Sequence, residues 1–289
     1  MIINDTHKFV FIHIPKCAGT SVRHFLQPYD QMDGAHTARV ADHPDLGRID
    51  YVHIPLFVLR EHFPAEHAKV LGYHSYAVIR DPYARFRSSL SQHLRKYSGH
   101  EISRMKPKAV QNAVDSALRL LRDHEAPKSY LPHQYIHFQR QIDFIYDQDK
   151  RLVEHMYTIR QIDRMLEHIS AATGIRLAHT GNPAEVKANE TRFYRNTWIR
   201  VLVESSKPVL KAVLREERWE SLKQATQHRV FTSSDRRLQA IFDSDHVRDF
   251  IADYYQDDID LFETVHQSEL ISTPKDNTAR MQPATNTSS

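Results

Sequence analysis

Cysteine is almost absent from this chain, and so are long apolar runs. Cys17 is the only cysteine, so no intrachain disulfide can form, which favours a reducing compartment. No apolar run approaches the ~20 residues that are needed to span a bilayer. The first residues also lack the basic and apolar pattern of a secretory signal. We therefore expect a protein of the cytoplasm.

Glycine and net charge are also scarce, with 7 glycines and a formal net charge of +3 in 289 residues. So mild a charge argues against a polycation that coats nucleic acid, and any basic site must come from local clustering. Basic residues do not interleave with aromatic ones, so we predict no nucleic-acid role. The 20 histidines show no paired metal-ligand spacing, so we predict no metal site.

Short apolar segments alternate with helical patterns in the amino-terminal half of the chain. The segment KFVFIHI at 8–14 is apolar on both faces, which is typical of a strand buried in a parallel sheet. Further strands are predicted at 49–53, 74–80 and 155–159. Helical patterns between strands indicate an α/β fold, with a central parallel β-sheet flanked by helices.

Helical spacing dominates the rest of the chain. Apolar residues recur on one face of three segments, which predicts helices at 107–122, 206–222 and 244–263. Residues 183–240 fit no recognisable pattern and are interpreted as a helical insertion. The polar segment 271–289 lacks aromatic residues and is expected to be disordered. Because no linker is evident, residues 1–270 are expected to form a single domain.

The turn PKCAGTS follows the first predicted strand and opens a helix. This geometry presents unpaired backbone N–H groups at a helix N-terminus, where the helix dipole also favours a negative ligand. Gly19 allows close backbone approach, Thr20 and Ser21 add hydroxyl groups, and Lys16 adds a positive charge. The turn lacks the G-x-x-x-x-G-K-[ST] order of an ATPase loop. A phosphate or sulfate is the predicted ligand, and a plain capped turn with a surface lysine is the alternative.

The stretch RDPYARFRSS, like the first turn, follows a predicted strand and opens a helix. The predicted strand at 74–80 ends at Arg80, Asp81 can cap the following helix, and Pro82 suits its first position. Ser88 lies on the side away from the apolar face, so Arg80 and Ser88 could bind one anion together. Alternatively, Arg80 pairs with a carboxylate and Ser88 is ordinary helix surface. Two anion sites at neighbouring strand ends indicate a ligand with two separated anionic groups.

HIPKCAGTS followed by AVIRDPYARFRSS resembles the PAPS-dependent sulfotransferases, in the branch of carbohydrate sulfotransferases such as heparan 2-O-sulfotransferase. The resemblance implies a P-loop-like sulfotransferase fold and a reaction without a metal. It implies that Arg80 and Ser88 bind the 3′-phosphate of the donor PAPS and of its product PAP. It also implies a phosphosulfate site formed by the side chain of Lys16 and the backbone amides of Cys17, Ala18, Gly19, Thr20 and Ser21.

The acceptor is implied by the resemblance alone. It suggests a sugar hydroxyl on a polysaccharide or glycolipid. A basic face formed by Lys211, Arg215 and Arg218 could meet an anionic glycan or a membrane surface, although most such faces are simply solvated. Golgi enzymes of this branch carry membrane anchors and usually disulfides, so a bacterial enzyme is predicted here. The oligomeric state is left open.

Sulfuryl transfer to a hydroxyl requires a base, and histidine suits that role near neutral pH. His53 comes directly after IDYV, at the end of the predicted strand at 49–53, so we expect it at the same sheet edge as the two motifs, in the catalytic role beside Lys16. The segment VHIPLF also resembles the family's histidine segment, with valine in place of glycine. His13 is expected in the core and His74 at the opposite edge. Alternatives that the sequence leaves open are His36, His43 and His93.

The segment from Cys17 to Arg23 also has the C-x5-R spacing of cysteine-dependent phosphatases. In those enzymes a thiolate attacks phosphorus, and a helix N-terminus lowers the pKa of the cysteine. Arginine makes up 26 of the 289 residues, so this spacing arises often by chance. A phosphatase would also leave RDPYARFRSS unexplained. A third hypothesis is a non-catalytic module that binds a nucleotide or glycan on the same fold.

Overall fold

The computed structural model describes residues 1–37, 40–124, 129–177, 193–194, 231–232 and 236–272. Its strands are short. In chain order they are β1 (Ile2–Asn4), β2 (Phe9–Ile12), β3 (Val40–His43), β4 (Gly47–Asp50), β5 (His74–Ile79), β6 (Tyr146–Asp147), β7 (Lys150–Arg151), β8 (His155–Thr158), β9 (Phe193–Tyr194) and β10 (Phe231–Thr232).

The central sheet has the order β1-β2-β5-β8. Strands β2, β5 and β8 run parallel, with Phe9 paired to His74 and Tyr76 paired to His155, whereas β1 is antiparallel to β2. The three parallel strands therefore end at the same edge of the sheet, where ligands bind in open α/β sheets. The predicted α/β fold with central parallel strands and flanking helices is confirmed, and the antiparallel edge strand β1 is an addition to it.

The prediction of a sheet strand at 49–53 is wrong. Only its first two residues are extended, and they belong to β4, which pairs with β3 in a separate antiparallel hairpin. Residues 51–53 then form a turn in which the His53 N–H donates to the Asp50 carbonyl at 3.1 Å. His53 is therefore carried by a turn after a hairpin and not by a strand of the parallel sheet.

Helices cover the sheet and form a second layer beside it. They are α1 (Gly19–Leu26), α2 (Leu56–His62), α3 (Pro64–Gly72), α4 (Pro82–Tyr97), α5 (Pro107–Asp123), α6 (Ile162–Thr173), α7 (Arg236–Phe242), α8 (Asp245–Tyr254) and α9 (Gln256–Ser272). Single 3-10 turns occupy 27–29, 102–104, 136–138, 142–144 and 159–161. The helix predicted at 107–122 is α5, and the helix predicted at 244–263 is two helices that meet at Tyr255.

Two apolar clusters hold these elements together. The first surrounds the sheet and includes Phe9, Phe11 and Tyr76, each at most 1% exposed. The second lies among α4, α5, α7 and α8 and includes Phe86 and Phe250. Burial of each phenylalanine side chain contributes about 1.5–3 kcal/mol. The predicted apolar face of α5 is buried throughout, at Val110, Val114, Ala117, Leu118 and Leu121.

Several predictions from the sequence fall on parts of the chain that the structure does not describe. The predicted helix at 206–222 lies outside the described residues, as does most of the proposed insertion at 183–240. Of the tail predicted to be disordered at 271–289, the first two residues form the end of α9, and the residues after Ser272 lie outside the described part of the chain. Among the described helices, none combines the length and the apolar character that a membrane crossing requires.

Candidate active site

The turn after β2 has left-handed backbone at two residues that are not glycine. Lys16 has a φ of 65° and Ala18 a φ of 59°, and α1 begins immediately afterwards. Non-glycine residues rarely adopt this conformation, and those that do cluster at ligand sites. No side chain caps this end of α1, and its first turn contains no acidic residue. The start of α1 is therefore electrostatically suited to an anion.

Three of the five backbone amides predicted to bind the phosphosulfate make no hydrogen bond within the part of the chain that the structure describes. The Cys17 N–H donates to the Ile14 carbonyl at 3.4 Å, and the Ser21 N–H donates to the Ala18 carbonyl at 2.9 Å. No described hydrogen bond uses the N–H groups of Ala18, Gly19 or Thr20. These three donors are the backbone groups best placed to bind an oxyanion.

Gly19 is required for a reason that the sequence does not reveal. A Cβ atom at this position would lie 1.9 Å from Cδ2 of His13, so the imidazole fills the space where a side chain would be. His13 lies one residue beyond the end of β2, is 7% exposed and packs against His53. The missing side chain of Gly19 therefore accommodates a histidine, in addition to any close approach of a ligand.

Lys16 lies among other cations. Burial, with the nearby Arg95 and Arg80 acting in the same direction, lowers the pKa of its amine to about 8. Among the described residues, no carboxylate pairs with this amine. A half-buried cation without a counter-ion is stabilised by an anionic ligand, and such a ligand would favour the protonated form.

The second motif lies against the first. Arg80 follows β5 directly, and its Nη1 donates to the Lys16 carbonyl at 3.2 Å. Asp81 caps α4 as predicted, because its Oδ1 accepts from the Ala84 N–H at 2.7 Å, and Pro82 is the first helical residue. The two predicted anion-binding motifs are therefore in direct contact at the carboxyl edge of the sheet.

The remaining polar residues of RDPYARFRSS divide between surface and interior. Ser88 is half-exposed on α4, on the side where the sequence places it. Arg85 is 1% exposed, and its Nη2 lies 3.3 Å from Oδ2 of Asp258, which is fully buried in α9. The carboxylate pair that the sequence offered as an alternative for Arg80 thus exists for Arg85. Through this ion pair Arg85 holds α4 against α9. The contact does not involve the anion-binding turn.

His53 has a defined tautomer. Its Nδ1 lies 3.0 Å from the His13 carbonyl, which can only accept a hydrogen bond, so Nδ1 carries the proton and Nε2 is left as the acceptor. The ring is 7% exposed, and its centroid lies 4.6 Å from that of His13 and 5.5 Å from that of His137. An imidazole held in this way is oriented as a base is in hydrolytic triads.

The three neighbouring imidazoles are uncharged at neutral pH. Burial lowers the pKa of His53 to about 4, although the Asp50 carboxylate opposes this shift. Burial also lowers the pKa values of His13 and His137 well below their usual range, with the nearby His53 as the next cause for both. Neutral Nε2 of His53 is therefore available to accept a proton at any pH near 7.

The other histidines lie in different settings. His36 is buried beside Glu66 at 3.4 Å, His43 packs against His62, and Nδ1 of His93 contacts the Gln134 carbonyl at 3.0 Å. His74 lies at the amino edge of the sheet, as predicted, beside Glu154. His137 is absent from the sequence-based candidates, although it packs against His53. It sits in a 3-10 turn within an aperiodic segment, which carries no pattern that could have drawn attention to it.

One cluster of side chains that includes His53 has the chemistry of a cation site. Ligand atoms of Asp50, His53 and His137 lie within 4.8 Å of one another, and all three residues are buried. A carboxylate and two neutral imidazoles suit a divalent transition metal. The prediction that the reaction needs no metal is not tested by this geometry and stays a prediction.

Cys17 has neither the exposure nor the ionisation of a nucleophile. It is 1% exposed, and burial raises the pKa of its thiol to about 12. Arg23, the arginine of the C-x5-R pattern, is engaged elsewhere, because its Nη1 donates to the Thr37 carbonyl. A protonated, buried thiol whose C-x5-R arginine is engaged elsewhere does not favour the phosphatase hypothesis.

Comparison with known proteins gives one finding. The family model described as the sulfotransferase family matches residues 1–263, which include both motifs, His53 and the beginning of α9. Neither the comparison with curated proteins nor the comparison with solved structures finds a match.

Proposed function

The chain belongs to the sulfotransferase family, whose chemistry is sulfuryl transfer, and we propose that it uses PAPS as donor and a carbohydrate or glycolipid hydroxyl as acceptor. The observation that carries the proposal is the contact between the Arg80 guanidinium and the Lys16 carbonyl. It supports two anion sites side by side, as a donor with a 5′-phosphosulfate and a 3′-phosphate requires. ADP and ATP lack the second of these groups.

The donor is proposed to span both motifs. Lys16 and the backbone amides from Cys17 to Ser21 bind the phosphosulfate, with the free N–H groups at the start of α1 contributing most. Arg80 and Ser88 bind the 3′-phosphate. Charge-assisted hydrogen bonds from an arginine to a phosphate are about twice as strong as neutral ones, so Arg80 supplies most of the selectivity for this donor.

The chemical step needs only groups of this chain in the proposal. Nε2 of His53 removes the proton from the acceptor hydroxyl as the hydroxyl oxygen bonds to sulfur. The bond from sulfur to the bridging phosphate oxygen breaks, and PAP leaves with an additional negative charge. Lys16 neutralises that charge, which stabilises the transition state electrostatically. The acceptor becomes a sulfate ester, and its proton is held on His53.

Selective binding of PAP tests the donor. In a thermal-shift assay, PAP at 100 times its dissociation constant should stabilise the protein by about 2.7 kcal/mol, whereas ADP and inorganic phosphate at the same concentration should stabilise it much less.

Arg80→Ala should weaken PAP binding by about 10- to 100-fold, which corresponds to ~1.5–3 kcal/mol for a hydrogen bond to a charged group. Its affinity for ADP should barely change. Equal stabilisation of the wild-type protein by PAP and ADP would rule out the assignment of Arg80 and Ser88.

Replacing Cys17 with serine separates sulfuryl transfer from cysteine-dependent hydrolysis. Cys17→Ser keeps a small side chain with a hydrogen-bond donor, so sulfuryl transfer should stay within a few-fold of the wild-type rate. A phosphatase would lose its nucleophile and nearly all of its activity. The two outcomes can be read from PAP formation and from hydrolysis of an aryl phosphate, measured on the same preparations.

A further inference from the structure

Gln141 is a fully buried glutamine that belongs to neither motif. It follows the 3-10 turn at 136–138, and its side-chain amide pairs with both polar groups of the Arg80 backbone. Oε1 accepts from the Arg80 N–H at 2.9 Å, and Nε2 donates to the Arg80 carbonyl at 2.9 Å. β5 ends just before Arg80, so the Gln141 amide pairs with Arg80 backbone groups that the sheet no longer pairs.

The same amide oxygen also contacts the first motif. Sγ of Cys17 donates to Oε1 of Gln141 at 3.1 Å, which gives the buried thiol a definite function as a hydrogen-bond donor. The protonated thiol can keep this contact across the neutral range, since burial raises its pKa. One side chain therefore makes three hydrogen bonds, two to the residue that opens the second motif and one to the centre of the first.

The backbone at Gln141 is anchored by the carboxylate of Asp258. Its backbone N–H donates to Oδ2 of Asp258 at 2.9 Å, and the N–H of Ile142 donates to Oδ1 of the same carboxylate at 2.8 Å. Asp258 in turn pairs with Arg85 of α4. The side chain thus joins the two motifs from a backbone that is anchored to two helices.

We propose that Gln141 is a positioning residue that fixes the separation between the two anion-binding motifs. The proposal rests on the function proposed above. A donor with two anionic groups gains affinity from both only if the sites are held at the matching distance, and rigid support of this kind determines how well a site performs. A ligand with a single anchoring site has no such requirement. Loss of the Gln141 amide should therefore affect PAP more than ADP.

The chain supplies a matched control two residues away. Gln139 is also buried, at 4% exposure, and its amide likewise bridges backbone groups and a neighbouring side chain. Its partners are the Leu131 N–H at 3.0 Å, the Ser129 carbonyl at 3.2 Å and Asp143 at 2.7 Å, all in its own segment. Gln139→Leu removes a comparable buried amide without touching either motif.

The experiment compares PAP and ADP affinities by calorimetry in the wild-type protein, Gln141→Leu and Gln139→Leu, with melting temperatures recorded for each. Both variants should melt at lower temperature. Gln141→Leu should lower the ratio of PAP affinity to ADP affinity by tenfold or more and raise the KM for PAPS more than it changes kcat, whereas Gln139→Leu should leave the ratio unchanged. An unchanged ratio in Gln141→Leu, or an equal fall in both variants, would overturn the proposal.

A milder series covers the case in which Gln141→Leu does not fold. Cys17→Ala removes one of the three hydrogen bonds to the amide and should lower the PAP-to-ADP ratio a few-fold more than Cys17→Ser does, because the serine hydroxyl can still donate. No difference between these two variants would count against the proposal. Failure of the proposed function has a different signature, because the wild-type protein would then show no preference for PAP at all.

Discussion

Replacing His53 with alanine is expected to lower kcat by about 10²–10⁴-fold, the usual contribution of a general base, while the dissociation constant for PAP changes less than threefold. The Nδ1 contact to the His13 carbonyl leaves Nε2 as the proton acceptor, so alanine removes the base without removing a contact to the donor. The measurement is single-turnover sulfuryl transfer from PAPS, combined with calorimetric titration of PAP.

The matched control is His74→Ala. His74 is exposed at the amino edge of the same sheet and contacts Glu154, so its loss should leave both kcat and PAP binding unchanged. If PAP binding were lost in His53→Ala, the residue would be part of the donor site and not the base. If kcat were unchanged, the base would have to be sought among His36, His43 and His93. Absence of transfer in the wild-type protein with every acceptor tried, together with firm PAP binding, would favour the non-catalytic hypothesis.

The pH dependence of kcat/KM gives an independent test of His53. Only the neutral imidazole can accept a proton, so activity falls as the pH drops through the pKa of the free enzyme. Burial lowers this pKa to about 4. The acid limb should therefore lie well below pH 6.5, with nearly full activity at pH 6. A limb centred at 6.5 would indicate an exposed histidine as the base.

The parts of the site predicted from sequence are those governed by local rules. The ends of β2 and β5, the cap at Asp81 and the proline at position 82 follow from apolar patterning and helix-start preferences that act over a few residues. Because parallel strands end at one edge of a sheet, placing two motifs after two such strands was enough to bring them together. The contact between Arg80 and Lys16 is the physical result.

The parts that escaped prediction depend on residues distant in sequence. His53 reaches the site from a hairpin turn, and the expected sheet strand beneath it does not exist. Gln141 lies in a segment without periodicity, and its importance comes from partners 61 and 124 residues away. Gly19 fits a general expectation for phosphate loops, yet the atom it makes room for belongs to His13. None of these contacts leaves a local signal that spacing or propensity could reveal.

Replacing Arg85 is the second change with a large expected effect, which is a loss of stability. Arg85→Met keeps most of the side-chain volume but leaves the carboxylate of Asp258, which is fully buried, without its cation. Removing one partner of a buried ion pair typically costs about 3–5 kcal/mol. The free energy of unfolding, measured in urea, should fall by that amount. Arg48→Ala is the control, because Arg48 forms an exposed pair with Asp42 that should contribute at most about 1 kcal/mol.

Two of the three arginines of RDPYARFRSS, Arg80 and Arg85, should therefore differ in what their replacement changes. Arg80→Ala should weaken PAP binding with little change in unfolding free energy, since its side chain contacts a backbone carbonyl at the ligand edge. Arg85→Met should lower the unfolding free energy, while the ratio of PAP to ADP affinity in the folded protein falls less than in Arg80→Ala, because Asp258 can still accept from the Gln141 and Ile142 N–H groups. If Arg85→Met were no less stable than Arg48→Ala, the buried pair would not hold α4 to α9. If it instead abolished the preference for PAP, Arg85 would act on the donor site, either directly or through Asp258 and Gln141.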